Sequence, residues 1–145
     1  MKIRALVFDD DEVLRELISS VLQRQGYEVY DFPEPGFCPL FLVRECPCPV
    51  SHICADTIMT DLNMPNITGL EFIENQIKRG CKVRNIALIS GDWSEPEMYR
   101  AHELGCMTFS KPLRIAELIA WLNQCEKRID PNRKLWDWLD NKAET

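Results

Sequence analysis

Short apolar runs alternate with segments of helical periodicity along most of the chain. Ile3–Phe8 is almost uniformly apolar, and a helical stripe follows it, formed by Val13, Leu14, Leu17, Ile18, Val21 and Leu22. Further apolar runs lie at 27–32, 55–60, 86–89 and 106–109, and further helical stripes at 70–77, 95–104 and 113–125. Because helices that connect parallel strands cover both faces of a sheet, we predict an α/β fold with a flavodoxin-like, doubly wound sheet of five parallel strands in the order 2-1-3-4-5.

The second helix of this pattern is the irregular one. Between the second and third predicted strands only 39–45 could form a helix, because Pro47 and Pro49 prevent its extension. We therefore expect the second helix to be short or replaced by irregular structure.

The end of the chain differs from the rest in its pattern. An Asp-Pro pair at 130–131 is typical of a helix start, and Leu135, Trp138 and Leu139 would share one face of that helix. We therefore divide the chain into a domain at 1–129 and a C-terminal helical tail at 130–145. The tail either packs on its own domain or contacts a partner, and it is too short to be an output domain.

Composition excludes some functions. The 145 residues are 46% hydrophobic and 28% charged, which is ordinary for one globular domain. A formal net charge of −6 without a Lys/Arg cluster argues against direct nucleic-acid binding, because phosphate contacts need concentrated positive charge. No apolar run is long enough for a membrane span, and the first residues do not have the layout of a signal peptide. We expect a cytoplasmic protein that does not bind membranes.

Polar residues follow four of the predicted strands. These residues are Asp9 and Asp10, Asp61, Ser90, and Lys111. The carboxyl ends of parallel strands meet at one edge of the sheet, so we expect the five side chains to converge there. Three adjacent carboxylates repel one another unless a cation lies among them, and Mg²⁺ is the hard cation that suits such ligands. By itself Asp61 could equally be a helix N-cap.

Four segments together resemble the response-regulator receiver domain: FDDDEVLRELI, TDLNMPNITGLEF, ALISG and FSKPL. The resemblance covers about residues 2–127, and DLNMPNITGLE is its most specific part. It implies that Asp61 accepts a phosphoryl group from a histidine kinase or phosphotransfer protein. It also implies that Asp9, Asp10, Asp61 and the main-chain carbonyl of Asn63 hold Mg²⁺. Such a chain is not an enzyme beyond its own phosphoryl transfer and dephosphorylation.

The same resemblance implies a switch. Ser90 matches the family's switch hydroxyl, Phe109 its switch aromatic residue and Lys111 its lysine, and the family typically has a cis peptide bond before Pro112. Phosphorylation would draw Ser90 inward and let the Phe109 ring rotate. The surface of the fourth helix and fifth strand would change as a result. A downstream protein target would be the partner of that surface, whereas a second copy of the chain in a homodimer is a candidate partner of the C-terminal tail.

Two other functions remain open at this stage. FDDDEVL also fits the first motif of haloacid-dehalogenase-type phosphatases, in which Asp9 would be the nucleophile and Asp11 the general acid/base. That hypothesis leaves DLNMPNITGLE unexplained. The second alternative is a receiver-like binding module that works without phosphorylation.

The cysteines have no counterpart in the receiver pattern. The chain has seven, and an odd number without a secretory signal does not suit a disulfide framework. A cluster of candidate ligands precedes the third predicted strand: Cys38, Cys46, Cys48, His52 and Cys54. These residues could form a Zn²⁺ site or a redox-active thiol pair, or they could be free thiols that pack as small apolar groups.

Overall fold

The computed structural model describes residues 1–41 and 46–138. The strands are β1 (Ile3–Phe8), β2 (Tyr27–Phe32), β3 (His52–Ile53), β4 (Thr57–Asp61), β5 (Asn85–Ser90), β6 (Met107–Ser110) and β7 (Lys134–Leu135). The α-helices are α1 (Glu12–Arg24), α2 (Gly69–Lys78), α3 (Glu95–Glu103) and α4 (Ile115–Arg128).

Five of these strands form the central parallel sheet, in the order β2-β1-β4-β5-β6. The predicted third, fourth and fifth strands correspond to β4, β5 and β6, because the short β3 lies outside this sheet. The predicted doubly wound order is therefore confirmed.

The sheet is buried on both faces, which explains its nearly continuous apolar strands. Successive residues of β1 point to opposite sides: Phe8 packs with Phe72 of α2, whereas Val7 packs with Ile18 of α1 and Leu118 of α4. The buried stripe of α1 is narrower than predicted. Val13 and Leu17 are 78% and 40% exposed, so these two residues do not face the sheet as expected.

The second helix is replaced, in the described residues, by two 3-10 turns, Pro35–Phe37 and Pro39–Phe41. Each turn begins with a proline, whose fixed φ favours a turn and whose missing N–H prevents a longer hydrogen-bonded ladder. The prediction of a short or irregular element is confirmed here, and residues 42–45 lie outside the described part.

The tail begins as a strand instead of the predicted helix. Lys134–Leu135 pairs in parallel with His52–Ile53, and the backbone N–H of Trp136 donates to the Ile53 carbonyl at 2.8 Å. Trp138 is buried against the Tyr30 ring. The predicted helix start at 130–131 is therefore wrong, because tertiary pairing at 134–135 overrides a local helical spacing. Trp138, the last described residue, is helical, and Leu139 and the residues beyond it are not described. In its described part the tail packs on its own domain.

Candidate functional site

The carboxyl edge of the sheet begins at the end of β1. Phe8 is fully buried and its ring contacts Phe32, Phe41 and Phe72 at centroid distances of 5.6, 5.4 and 5.0 Å. Aromatic pairs of this geometry each contribute about 0.5–1.5 kcal/mol beyond their burial. This cluster fixes the end of the strand, so the next residue, Asp9, has a defined position.

Asp9 is fully buried, whereas Asp10 is exposed. One carboxylate oxygen of Asp9 accepts from the Asp11 backbone N–H at 2.9 Å, and its other oxygen, Oδ2, has no hydrogen-bond partner. Burial raises the pKa of Asp9 to about 6, opposed by that hydrogen bond and assisted by the neighbouring Asp61 carboxylate. A buried carboxylate oxygen without a partner is suited to bind a cation.

Asp61 ends β4 and is 3% exposed. Its Oδ1 atom lies 3.2 Å from the Lys111 ammonium. Burial raises the pKa of Asp61; the Lys111 charge opposes this shift, and the Asp10 carboxylate adds to it. The predicted acceptor is thus a buried carboxylate with a cation on one side and carboxylates on the other.

Asp9, Asp10 and Asp61 form one cluster, in which one ligand oxygen of each lies within 4.8 Å of those of the other two. Three ionised carboxylates and one Lys111 ammonium leave a net charge of −2 at this edge. A divalent cation with oxygen ligands would neutralise that charge. The residues therefore fit Mg²⁺. Asn63 lies exposed in the loop after β4, and its contribution to the site stays a prediction.

Gly69 brings α2 close to Asp61. The Gly69 N–H donates to the Leu62 carbonyl at 2.7 Å, and a Cβ at position 69 would lie 2.5 Å from the Asp61 carbonyl oxygen. No side chain fits in this space. Thr68 caps the helix just before this glycine. In the sequence, Gly69 is simply one residue of the DLNMPNITGLE segment, and its close approach to Asp61 is not predictable there because only the packing of α2 creates it.

Ser90 and Lys111 follow neighbouring strands. Ser90 is fully buried at the end of β5, and its Oγ accepts from the Asp92 N–H at 3.1 Å. The Lys111 N–H donates to the Ser90 carbonyl at 2.9 Å, so the two strand ends are tied together. The Lys111-Pro112 peptide bond is cis, as the resemblance implied. The five residues predicted to follow the strands thus lie at one edge of the sheet.

Phe109 is buried in β6, where its ring packs edge-on against Trp121 of α4 at 5.8 Å. The Trp93 indole N–H donates to the Phe109 carbonyl at 2.9 Å. Trp93 is therefore a second aromatic residue tied to the predicted switch position. Sequence reasoning missed it, although its place just after the Ser90-Gly91-Asp92 turn was a signal.

Asp11, the predicted acid/base of the phosphatase alternative, has a structural role. Its Oδ1 accepts from the backbone N–H groups of Val13 and Leu14, at 3.0 and 3.3 Å, and so caps α1. A carboxylate engaged in this way is not positioned for proton transfer. The geometry therefore argues against the haloacid-dehalogenase hypothesis.

The zinc hypothesis is not supported. Within the described ranges, the three carboxylates at Asp9, Asp10 and Asp61 are the only group of metal-type ligands with mutual distances under 4.8 Å. Cys38 is buried after the first 3-10 turn, and the His52 ring contacts Ser51. Cys46, Cys48 and Cys54 do lie near one another, and Cys81, which the sequence analysis did not include, joins them.

No helix in the described part of the chain is both long and apolar enough to span a membrane.

Comparisons with known proteins identify the family of this chain. The model of the family described as the response regulator receiver domain matches residues 5–123. The transcriptional regulatory protein FixJ of Azorhizobium caulinodans is 30% identical over 115 residues, which cover 79% of this chain and 50% of that protein. The phosphate regulon transcriptional regulatory protein PhoB of Escherichia coli is 26% identical over 131 residues, covering 88% and 53% respectively.

Solved structures show the same fold. A response regulator receiver protein from Pseudomonas putida superposes with a TM-score of 0.70 at 24% identity, over 86% of this chain and 98% of that one. The chain spans about half the length of the curated relatives it matches.

Proposed function

We propose, because this chain belongs to the response regulator receiver domain family, that Asp61 is the acceptor of a phosphoryl group in a two-component phosphorelay. The donor would be the phosphohistidine of a histidine kinase or phosphotransfer protein in the cytoplasm. The observation that carries this proposal is the convergence of Asp9, Asp10 and Asp61 beside the Lys111 ammonium. Among the described side chains, that cluster combines an acceptor, cation ligands and a fixed positive charge.

The transfer uses a carboxylate oxygen of Asp61 as the nucleophile. The new O–P bond forms as the N–P bond of the donor breaks, and the electron pair of that bond returns to the imidazole nitrogen, which takes up a proton. Asp9 and Asp10, with the Asn63 carbonyl, would hold Mg²⁺, which when bound supplies positive charge to the phosphoryl oxygens. Lys111 stabilises the same oxygens from the other side.

The output is a change of surface. Phosphorylation of Asp61 adds acceptor oxygens beside the end of β5. Ser90 is the last residue of that strand, and its hydroxyl would donate a hydrogen bond to one of them. Movement of Ser90 would loosen the packing at Phe109 and change the α3–β6 surface. We propose that this surface serves a downstream protein, and that the chain catalyses no reaction besides its own phosphoryl transfer and dephosphorylation.

The test is phosphorylation of the full chain by acetyl phosphate with Mg²⁺, measured by intact mass and by the lability of the product to hydroxylamine. We expect one acyl phosphate in the wild type and none in Asp61→Asn. Asp11→Asn is the matched control, because Asn also caps a helix, and it should be labelled normally. Label that persists in Asp61→Asn, or a wild type that is never labelled, would overturn the proposal; the latter result favours a phosphorylation-independent binding module.

A further inference from the structure

A chain of thiols lies at the amino edge of the sheet, opposite the carboxylates. Cys54, just before β4, lies in the hydrophobic core cluster against which Cys48 and Cys81 pack, so its thiol interacts with both of theirs, and Cys48 also interacts with Cys46. All four are free thiols. They come from three places in the chain, so the fold, rather than a local sequence motif, assembles them.

The thiols differ in access. Cys54 is 3% exposed and lies in the hydrophobic core, whereas Cys48 and Cys81 are partly exposed. Cys46 and Cys48 line an open cleft of about 450 Å³, and Cys81 lines a separate one of about 550 Å³. A small oxidant can therefore reach Cys48 from solvent, while Cys54 is accessible only through its neighbours.

Positive charge surrounds the first cleft. Lys78, Arg79 and Lys82 line it together with Cys48. The Lys82 ammonium is fixed by the carbonyls of Pro49, Val50 and His52 at 2.6, 3.1 and 2.9 Å. It is thus a stationary charge at the loop that carries Cys48.

These contacts give the neighbouring thiols different pKa values. The hydrogen bond from Cys54 lowers the pKa of Cys48 to about 6, with further contributions from Cys46 and Lys82 and with burial acting against it. Cys54 has a single proton to donate: when it bonds to Cys81 instead, the pKa of Cys81 is lowered to about 7, and the Cys48 charge opposes that shift. The pKa of Cys54 is raised by its hydrogen bonds to these two thiols and by burial. The arrangement holds a thiolate at Cys48, which lines the open cleft, and a protonated thiol at Cys54 beside it.

We propose that Cys48 and Cys54 form an oxidation site for hydrogen peroxide, in which Cys48 attacks and Cys54 resolves. The Cys48 thiolate forms an S–O bond as the O–O bond of the peroxide breaks, and the hydroxide that leaves takes a proton to become water. The Cys54 thiol then attacks the sulfenic sulfur. The S–O bond breaks, a second water leaves, and a Cys48–Cys54 disulfide remains. Two thiols are oxidised and one hydrogen peroxide is reduced to two waters.

This arrangement suits a dithiol better than a metal. A tetrahedral Zn²⁺ site needs four ligands about 2.3 Å from the ion, with their sulfur atoms close to one another. Here the sulfur contacts run in series from Cys46 to Cys81, and the described residues contain no set of three thiols within 4.8 Å of one another. The inference is independent of the phosphorelay proposal, since it uses none of its residues.

The experiment treats the reduced full-length chain, freed of metal by a chelator, with equimolar hydrogen peroxide, blocks remaining thiols and maps disulfides by mass spectrometry. We expect a Cys48–Cys54 link as the main product. Because Cys46 also neighbours Cys48, Cys54→Ser made together with Cys46→Ser should stop at a Cys48 sulfenic acid that dimedone traps, and Cys48→Ser should abolish the link. Cys106→Ser is the control, because the Cys106 thiol is buried in the core with its pKa raised to about 11. Cys48 should react at least about tenfold faster than Cys106.

Three outcomes would overturn the proposal. A Cys54–Cys81 link as the main product would show that Cys81, and not Cys48, is the partner of Cys54 in oxidation. If Cys48 reacts no faster than Cys106, the Cys48 thiol is not activated as a thiolate. Stoichiometric zinc in protein purified without chelator, with thiols that resist blocking until the metal is removed, would make the cluster a metal site. The wild-type map decides these points even if a serine variant fails to fold.

Discussion

The carboxylates at the carboxyl edge of the sheet and the thiols at its amino edge are both closely packed groups that can ionise. At the carboxyl edge, burial raises the pKa values of Asp9 and Asp61, and the neighbouring carboxylates add to both shifts. At the amino edge, Cys54 keeps its proton and can donate it to one of two neighbours, Cys48 or Cys81, and so lowers the pKa of the thiol that accepts it. The carboxylates therefore require a cation from outside, whereas the thiols stabilise a negative charge with their own hydrogen bonds.

The two edges are also stabilised by different kinds of contact. The carboxyl edge depends on backbone packing around Asp61, and the amino edge on an ion pair between Asp56 and Arg133. Substitutions at each edge should therefore have distinct effects on stability and on phosphorylation, and each of those below separates the two.

The largest effect is expected for Gly69→Ala. The added Cβ would lie 2.5 Å from the Asp61 carbonyl oxygen and 2.9 Å from Leu88 Cδ2, so the strand end or α2 must move. We expect a loss of about 2–4 kcal/mol in the free energy of unfolding, measured in urea, and a strong loss of phosphorylation. Gly91→Ala is the control, since its Cβ would meet Lys111 only at 3.7 Å. Equal behaviour of the two variants would show that the close approach is unimportant.

Asp56→Asn should destabilise the amino edge alone. Asp56 is buried and its two carboxylate oxygens accept from Arg133 at 2.6 and 2.7 Å, while the Arg4 N–H adds a third bond at 3.0 Å. Loss of the charge leaves Arg133 without its buried counter-ion, at a cost of about 2–4 kcal/mol by thermal unfolding. Phosphorylation of the folded fraction should be unchanged. Asp137→Asn, whose carboxylate is exposed and 3.7 Å from Arg4, should be nearly neutral. A phosphorylation defect in folded Asp56→Asn would show that the two edges are coupled.

Asp9→Asn should stabilise the metal-free protein. The folded-state pKa of about 6 lies above the ordinary 3.8, so the folded state binds this proton more tightly than the unfolded state does. The resulting stability is fully present below about pH 4 and is lost as the pH rises through about 6. Asn carries no charge to bury, so we expect a gain of about 1–3 kcal/mol near pH 8, fading toward pH 4, in urea unfolding with EDTA.

Added Mg²⁺ provides the control for that variant. The wild type should gain stability on Mg²⁺ addition and Asp9→Asn should gain less, because it lacks a ligand. A variant less stable than the wild type in EDTA near pH 8 would contradict the view that the Asp9 charge is buried at a cost.

The smallest effect is expected for Asp11→Ala, which removes the N-cap of α1. We expect a loss of about 1 kcal/mol in chemical unfolding with acyl phosphate formation retained, because this carboxylate bonds to backbone N–H groups. Asp11→Asn should recover most of the stability. Complete loss of phosphoryl chemistry in a folded Asp11→Ala protein would instead revive the acid/base role of the phosphatase hypothesis.

Much of the carboxyl edge could be predicted from the chain, because each residue there directly follows an apolar run. A parallel sheet brings such strand ends together whatever the details of packing. Thus Asp9, Asp61, Ser90 and Lys111 were all predictable as neighbours. The space at Gly69 was not, since it depends on how closely α2 approaches β4.

The amino edge and the tail were decided by tertiary structure. The register of β4 on β5 pairs Thr57 with Asn85, which brings the residues just before the two strands, Cys54 and Cys81, into contact. Nothing local links these two cysteines. The tail pattern fits a helix equally well, yet pairing with β3 gives Lys134–Leu135 the partner that selects a strand.

The sequence by itself determined the doubly wound fold and the carboxylate site, because both follow from periodicity and from what ends each strand. Only the tertiary structure decided which thiols meet, how the tail packs on the domain and why position 69 has no room for a side chain. These features depend on contacts between residues far apart in the chain, where register and distance, rather than local pattern, determine the outcome.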